Sequence, residues 1–184
     1  MAEGLCPVWV GYFLACPLRK LYQNPYRLLG PYVTAGMTVL DIGCAMGFFA
    51  LPLARLVGPH GSVVCVDVQE KMITVLDKRA RNAGLSDRIE TRRCTEQSLG
   101  LDDLRERVDF AFASAVVHEV ASVPRFFSET HEAIRPGGRF LVIEPKGHVT
   151  EKDFEHTVLL ASGAGFKPVG MPKMRCSRAA LLEK

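Results

Sequence analysis

The stretch Val39–Ala54 reads VLDIGCAMGFFALPLA. It continues a short β-branched run, Met37–Asp41, that closes on an acid. Small residues then fall at every second position, Gly43, Ala45 and Gly47, and apolar residues follow at helical spacing to Val57. A strand, a glycine-bearing bend and a helix open a βαβ unit. Glycine lets backbone come close to a ligand, and the free N–H groups of the next helix favour a carboxylate or phosphate there. A nicotinamide-binding turn of the form Gly-x-Gly-x-x-Gly, begun at Gly43, needs glycine at positions 45 and 48, where the chain has Ala45 and Phe48. An acid followed by small residues at alternate positions fits Asp41, Gly43, Ala45 and Gly47, with alanine in place of one glycine.

Outward from this bend, strand-length apolar runs alternate with helical patterns. Gly58-Pro59-His60-Gly61 stops the first helix, and Ser62–Asp67 (SVVCVD) reads as a second strand. Glu70–Ala83 carries Met72, Val75, Leu76 and Ala80 at helical spacing and closes on Gly84. Arg88–Cys94 alternates as a half-exposed strand near an edge, and Asp109–Ser114 (DFAFAS) reads as buried. A helix is expected over Pro124–Ile134, a break at Arg135–Gly138, and a strand over Arg139–Glu144. Thr150 suits an N-cap for Glu151–Ala164, with Asp153 three residues on. Phe166–Lys173 and Arg178–Glu183 are the closing strands. The alternation predicts an α/β fold whose seven-stranded, mostly parallel sheet is covered on both faces, a three-layer sandwich. The last two strands are joined by too few residues for a parallel crossover, so the final strand is expected to run antiparallel.

The 184 residues predict one globular domain, 31–184, preceded by an aromatic and basic segment over 1–30. Hydrophobic residues at 48% exclude a disordered chain, and a net charge of +3 leaves no electrostatic footprint for nucleic acid or an anionic membrane. Leu5–Pro17 is apolar, but the one charge before it is Glu3, so it does not read as a signal peptide. No run approaches the roughly 20 apolar residues of a spanning helix. The six cysteines form no C-x-x-C pair and no His cluster accompanies them, so no metal site is expected. Cys44, Cys65 and Cys94 lie in or beside apolar runs and read as small buried thiols, which fits a cytoplasmic protein.

In an open parallel sheet, ligands bind at the carboxyl ends of the strands. Asp41, Asp67, Thr95 with Glu96, Ser114 and Glu144 are the polar residues at or just past those ends. Four segments in this order resemble the class I S-adenosylmethionine-dependent methyltransferases, in the small UbiE-like group. Val39–Ala54 resembles the glycine-rich motif, and Cys65–Asp67 (CVD) the acid of the second strand, 26 residues after Asp41. Val108–Val120 (VDFAFASAVVHEV) resembles the fourth-strand segment, and Arg135–Pro145 (RPGGRFLVIEP) the turn and fifth strand. The resemblance implies a Rossmann-like fold and S-adenosyl-L-methionine as cofactor. It implies that Asp41, Gly43, Cys44 and Gly47 line the methionine end, that Asp67 accepts hydrogen bonds from both ribose hydroxyls, and that Val68 packs on the adenine. Thr95 stands where the family usually offers the adenine amine an acid, with Glu96 adjacent; Ser114 completes the set.

Methyl transfer from a sulfonium is an in-line displacement whose leaving group becomes neutral, so alignment supplies most of the acceleration. A base is needed only where the acceptor must lose a proton. His118 and Glu119, just past the fourth strand, are the catalytic candidates; a wall of the pocket is the plainer role for His118. Trp9, Tyr12, Phe13, Tyr22 and Tyr26, with Arg19, Lys20 and Arg27, form a segment that either covers a substrate pocket or packs on the sheet. The fourth strand is followed by Ser114-Ala115-Val116-Val117 rather than an Asn/Asp-Pro-Pro-aromatic motif or a Pro-Cys pair, which disfavours amide, base-nitrogen and cytosine-carbon acceptors. A small-molecule acceptor remains, with the oligomeric state open. The alternatives are a non-catalytic cofactor-binding module or partner subunit, and a nicotinamide-dependent oxidoreductase, which the glycine spacing opposes.

Overall fold

The computed structural model describes residues 23–184. The expectations for Trp9, Tyr12, Phe13, Tyr22, Arg19 and Lys20 lie outside them. The chain forms two compact units that meet in sequence between Arg93 and Cys94.

The first unit runs α1 (Pro25–Leu29), β1 (Thr38–Ile42), α2 (Ala50–Leu56), β2 (Ser62–Asp67), α3 (Glu70–Asn82) and β3 (Ile89–Arg93). β1 pairs parallel with β2 and β2 parallel with β3, with Asp41 opposite Cys65 and Asp67 opposite Arg93. β1 and β2 are almost wholly buried, as expected for the interior of a parallel sheet. α3 buries Met72, Leu76 and Ala80, one face at four-residue spacing. Glu70 in its first turn and Arg79 and Arg81 in its last complement the helix dipole. α2 begins at Ala50, three residues later than the periodicity predicts, because Gly43–Phe49 is a loop. α1, which the hydrophobic pattern did not announce, is capped by Asn24, whose Oδ1 accepts the N–H groups of Tyr26 and Arg27.

The second unit runs β4 (Val108–Ser114), α4 (Val123–Ala133), β5 (Ile134–Pro145), α5 (Glu151–Gly163), β6 (Lys167–Gly170) and β7 (Ser177–Glu183), with 3₁₀ turns at Asp102–Leu104 and Val117–Glu119. β4 pairs parallel with β5, while β7 runs antiparallel to both β5 and β6. The final strand is thus antiparallel, as its short connection requires. Thr150 caps α5 by accepting the Asp153 N–H at 3.2 Å. The core gathers Phe126, Phe127, Phe140 and Phe166, with ring centroids 5.3 to 6.2 Å apart. Each such aromatic pair contributes about 0.5–1.5 kcal/mol beyond the area it buries.

The expected break at Arg135–Gly138 takes a different form. β5 starts at Ile134, opposite Val108, and resumes at Arg139, opposite Phe110. Four residues bulge out where the partner strand has one. Gly137, at φ +74°, donates to the Lys184 carbonyl, and Lys184 donates back to Gly138. Arg135 Nε reaches Asp109 Oδ1 at 2.6 Å. The glycines thus form a bulge that remains tied into the sheet. The strands lie in the order β3-β2-β1 in the first unit and β4-β5-β7-β6 in the second.

Candidate functional site

In the first unit, side chains two apart on a strand share a face. Asp41 is opposite Cys65, and Asp67 lies two residues beyond it, so the two acids stand on one face. The loop after β1 folds over the end of β2: Gly43 and Cys44 donate to the Val66 carbonyl at 2.8 and 3.2 Å. Ala45 then donates to Asp67 Oδ2 at 3.0 Å, while Gln69 donates to Oδ1 at 2.9 Å. Each Asp67 oxygen keeps a lone pair for a further donor. Burial holds the Asp67 carboxyl above its usual range, and the two backbone N–H groups oppose that rise without cancelling it.

Asp41 is more extreme. It is 2% exposed, and its Oδ2 is buried with no hydrogen-bond partner. Burial first, and then the charge of Asp67, pushes its pKa from 3.8 up to about 7. An oxygen left in this state calls for a donor or a cation. Cys44 and Cys65 are buried thiols pushed above their ordinary value by the same desolvation. Cys94 is buried as well.

The bend itself carries strain. Ala45 sits at φ +46°, a left-handed conformation that costs a residue with a Cβ roughly 1–2 kcal/mol. Gly47 sits at φ +81°, and a Cβ there would lie 2.3 Å from Leu76 Cδ1. Its glycine is therefore demanded by the packing of the loop on α3. Arg79 of α3 donates to the Met46 carbonyl and ties the loop down from the same helix. Val68, half-buried, follows Asp67.

In the second unit, Ser114 is half-buried at the end of β4, opposite Ile143. Thr95 serves its own turn: its Oγ1 accepts the N–H groups of Gln97 and Ser98 at 3.3 and 3.0 Å. Glu96 beside it is exposed. That loop is anchored by Glu129 of α4, which accepts from Leu99 N–H at 2.6 Å and from Ser98 Oγ at 3.2 Å.

His118 and Glu119 lie on the 3₁₀ turn after β4, with His118 Nε2 3.9 Å from Glu119 Oε1. The side chain that organises this turn is Glu144, 1% exposed near the end of β5. Its Oε1 accepts the Val116 and Val117 N–H groups at 3.1 and 2.8 Å, and its Oε2 meets His118 Nδ1. The hydrogen bond to Glu144 raises the His118 pKa, and burial opposes the rise. The His148 ring stands 5.6 Å away. In the sequence alone Glu144 is a strand-end acid with no further role. The signal for it was an acid embedded in the apolar run RFLVIEP, four residues ahead of a histidine.

A methyltransferase-domain family model matches residues 33–170. The ubiquinone biosynthesis O-methyltransferase of Methylobacterium sp. (strain 4-46) is 34% identical over 142 residues, covering 68% of this chain and 54% of that protein. The ubiquinone/menaquinone biosynthesis C-methyltransferase UbiE of Hahella chejuensis is 32% identical over 127 residues, covering 67% of this chain and 50% of that protein. The chain spans about half the length of these curated relatives. A crystal structure of a SAM-dependent methyltransferase from Aquifex aeolicus superposes with a TM-score of 0.87 at 23% identity, covering 97% of this chain and 98% of that one, and shows the shared Rossmann-like fold. The chain belongs to the methyltransferase-domain family. Within it, the chain is similar to the UbiE-type ubiquinone/menaquinone C-methyltransferases over part of their length.

Proposed function

We propose that this chain transfers a methyl group from S-adenosyl-L-methionine to a small-molecule acceptor. The observation that carries the reading is the acid pair of the first unit: Asp67 held by two backbone N–H groups, and Asp41 buried with Oδ2 unpaired. These groups fit the cofactor's chemistry. Asp67 has acceptor capacity left for two ribose hydroxyls, and Asp41 Oδ2 wants the donor or positive charge that an amino acid ammonium supplies. Gly43 and Cys44 bring backbone to the same bend, Gly47 allows the bend to pack, and Val68 offers an apolar edge for a base. Thr95, engaged in its own turn, leaves Glu96 as the freer polar group of that loop for an adenine amine, and Ser114 stands at the end of β4.

The bound cofactor supplies an electrophilic methyl on a positively charged sulfur. The chain's part is to hold the donor, align the acceptor and, where required, remove a proton through His118, with Glu119 beside it. The buried thiols suit a reducing compartment such as the cytoplasm. Among the described residues no helix is long and apolar enough to cross a membrane.

Calorimetry with S-adenosylmethionine and S-adenosylhomocysteine, followed by transfer of a labelled methyl group to a panel of phenols, amines and thiols, tests the reading. Binding with turnover supports it. Binding without turnover on any acceptor favours a non-catalytic module, and preference for a nicotinamide dinucleotide overturns it.

A further inference from the structure

We propose that Glu144 is a positioning residue that holds His118 as the tautomer protonated on Nδ1, with Nε2 as the proton acceptor, and that the methyl acceptor carries its proton on a phenolic or enolic oxygen. The inference rests on the methyltransferase reading and deepens it.

The geometry around Glu144 leaves little freedom. Both oxygens of this buried carboxylate are engaged. Oε1 takes the Val116 and Val117 N–H groups, and Oε2 faces His118 Nδ1. An ionised carboxylate accepts only, so the proton of the neutral ring sits on Nδ1 and the Nε2 lone pair is bare. Holding the turn accounts for Oε1, whereas the contact of Oε2 with Nδ1 bears on the ring itself. The strand end and the turn are locked together by the same carboxylate, so the ring is fixed relative to β5 as well as β4.

The charges nearby suit proton uptake. Glu144 faces the ring from β5, and Glu119 lies 3.9 Å from Nε2 on the same turn. His148, after β5, is 5.6 Å away ring to ring. Arg178, opposite Glu144 on β7, directs its guanidinium to the Val149 carbonyl. Two carboxylates therefore stabilise an imidazolium once it forms.

A fixed base matters most for a hydroxyl. A thiol with a pKa near 8.5 ionises unaided, and an amine is nucleophilic once water has taken its proton, whereas a phenol near pKa 10 is poorly ionised at neutral pH. In the step, the acceptor oxygen forms a bond to the methyl carbon. The carbon–sulfur bond breaks with its electron pair on sulfur, and the hydroxyl proton passes to Nε2. The products are a methyl ether, a neutral thioether and an imidazolium that returns its proton to water.

The test begins on the free protein labelled with ¹⁵N-histidine, with His118 assigned by loss of its signals in H118Q. Long-range ¹H–¹⁵N correlation above the titration midpoint should show His118 protonated on Nδ1. In E144Q the amide can donate to Nδ1, so the tautomer should reverse and the midpoint should fall. E144D, which keeps the charge but is one methylene shorter, should also lower the midpoint and serves if E144Q is unfolded. A wild-type proton on Nε2, or an unchanged tautomer and midpoint in E144Q, overturns the proposal. In turnover, a phenol methylated on oxygen, with an acid limb at the His118 midpoint and a kcat lowered about 10²–10⁴-fold in E144Q at unchanged donor KM, supports it. Methylation confined to amines or thiols overturns the acceptor class. Failure of the wild type to bind S-adenosylhomocysteine would sink the methyltransferase reading alone, since the histidine measurements stand without it.

Discussion

Replacing Asp41 by asparagine should make the protein more stable at alkaline pH and a weaker binder of its cofactor. The carboxyl is pushed from 3.8 to about 7 by burial and by Asp67, a rise of about three units. Each unit corresponds to about 1.36 kcal/mol, so the ionised form costs the fold roughly 4 kcal/mol. The sign follows from proton binding. Between pH 4 and 7 the folded state keeps a proton that the unfolded chain releases, so stability falls as pH rises through this window and levels off above it. The amide of the variant does not titrate, so D41N should match the wild type near pH 4 and exceed it by up to about 4 kcal/mol at pH 8. Urea unfolding of both proteins at pH 5, 6, 7 and 8 measures the gap directly. In a thermal scan at pH 8 it corresponds to a midpoint about 8–16 °C higher, at roughly 2–4 °C per kcal/mol for a chain of this size. A bound cation facing Asp41 would favour the ionised form, so S-adenosylmethionine should bind the wild type more tightly at pH 8 than at pH 6, and D41N should lose that dependence. Parallel stability–pH curves for the two proteins would refute the assignment of a buried, unpaired carboxyl at this position.

Asp67→Ala removes two oxygens that tie Ala45 and Gln69 and that are assigned to the ribose; calorimetry should show S-adenosylmethionine binding weakened by at least about 1.5 kcal/mol, roughly tenfold. Gly47→Ala puts a methyl 2.3 Å from Leu76 Cδ1 at φ +81°, and chemical unfolding should register a loss of about 2–4 kcal/mol from clash and backbone strain together. Phe127→Ala opens the aromatic core of the second unit and should cost about 3–5 kcal/mol in the same assay.

The sheet was readable because its central strands are apolar on both faces and end in polar residues. SVVCVD and DFAFAS cannot be solvent-facing, and Asp41 and Asp67 mark where the backbone leaves the core. α3 was readable because Met72, Leu76 and Ala80 keep one face. The elements that escaped were short ones set by local hydrogen bonds: α1 depends on the Asn24 cap and the turn at 117–119 on the Glu144 carboxylate. The loop at 135–138 reads as a break because Pro-Gly-Gly signals a turn, and the backbone bonds to Lys184 that keep it in the sheet come from 46 residues further along the chain.

The candidate site divides along the same line. The first-unit residues were legible as strand-end acids because a strand, a bend and a strand sit close together in sequence; that Asp41 and Asp67 share a face follows from the pairing of Asp41 with Cys65. His118 was legible only as a polar residue near a strand end. The proposal that it acts as a base rests on the carboxylate behind it, and Glu144 lies 26 residues away, brought there by the parallel pairing of β4 with β5. A chemical pair formed across a β-α-β crossover has no short-range spacing to read. The strand-end rule selects the partners one at a time, and only the register between the strands says which of them meet. The rule therefore works best for binding residues, each of which contacts the ligand on its own account, and least well for a base, whose character depends on a second residue.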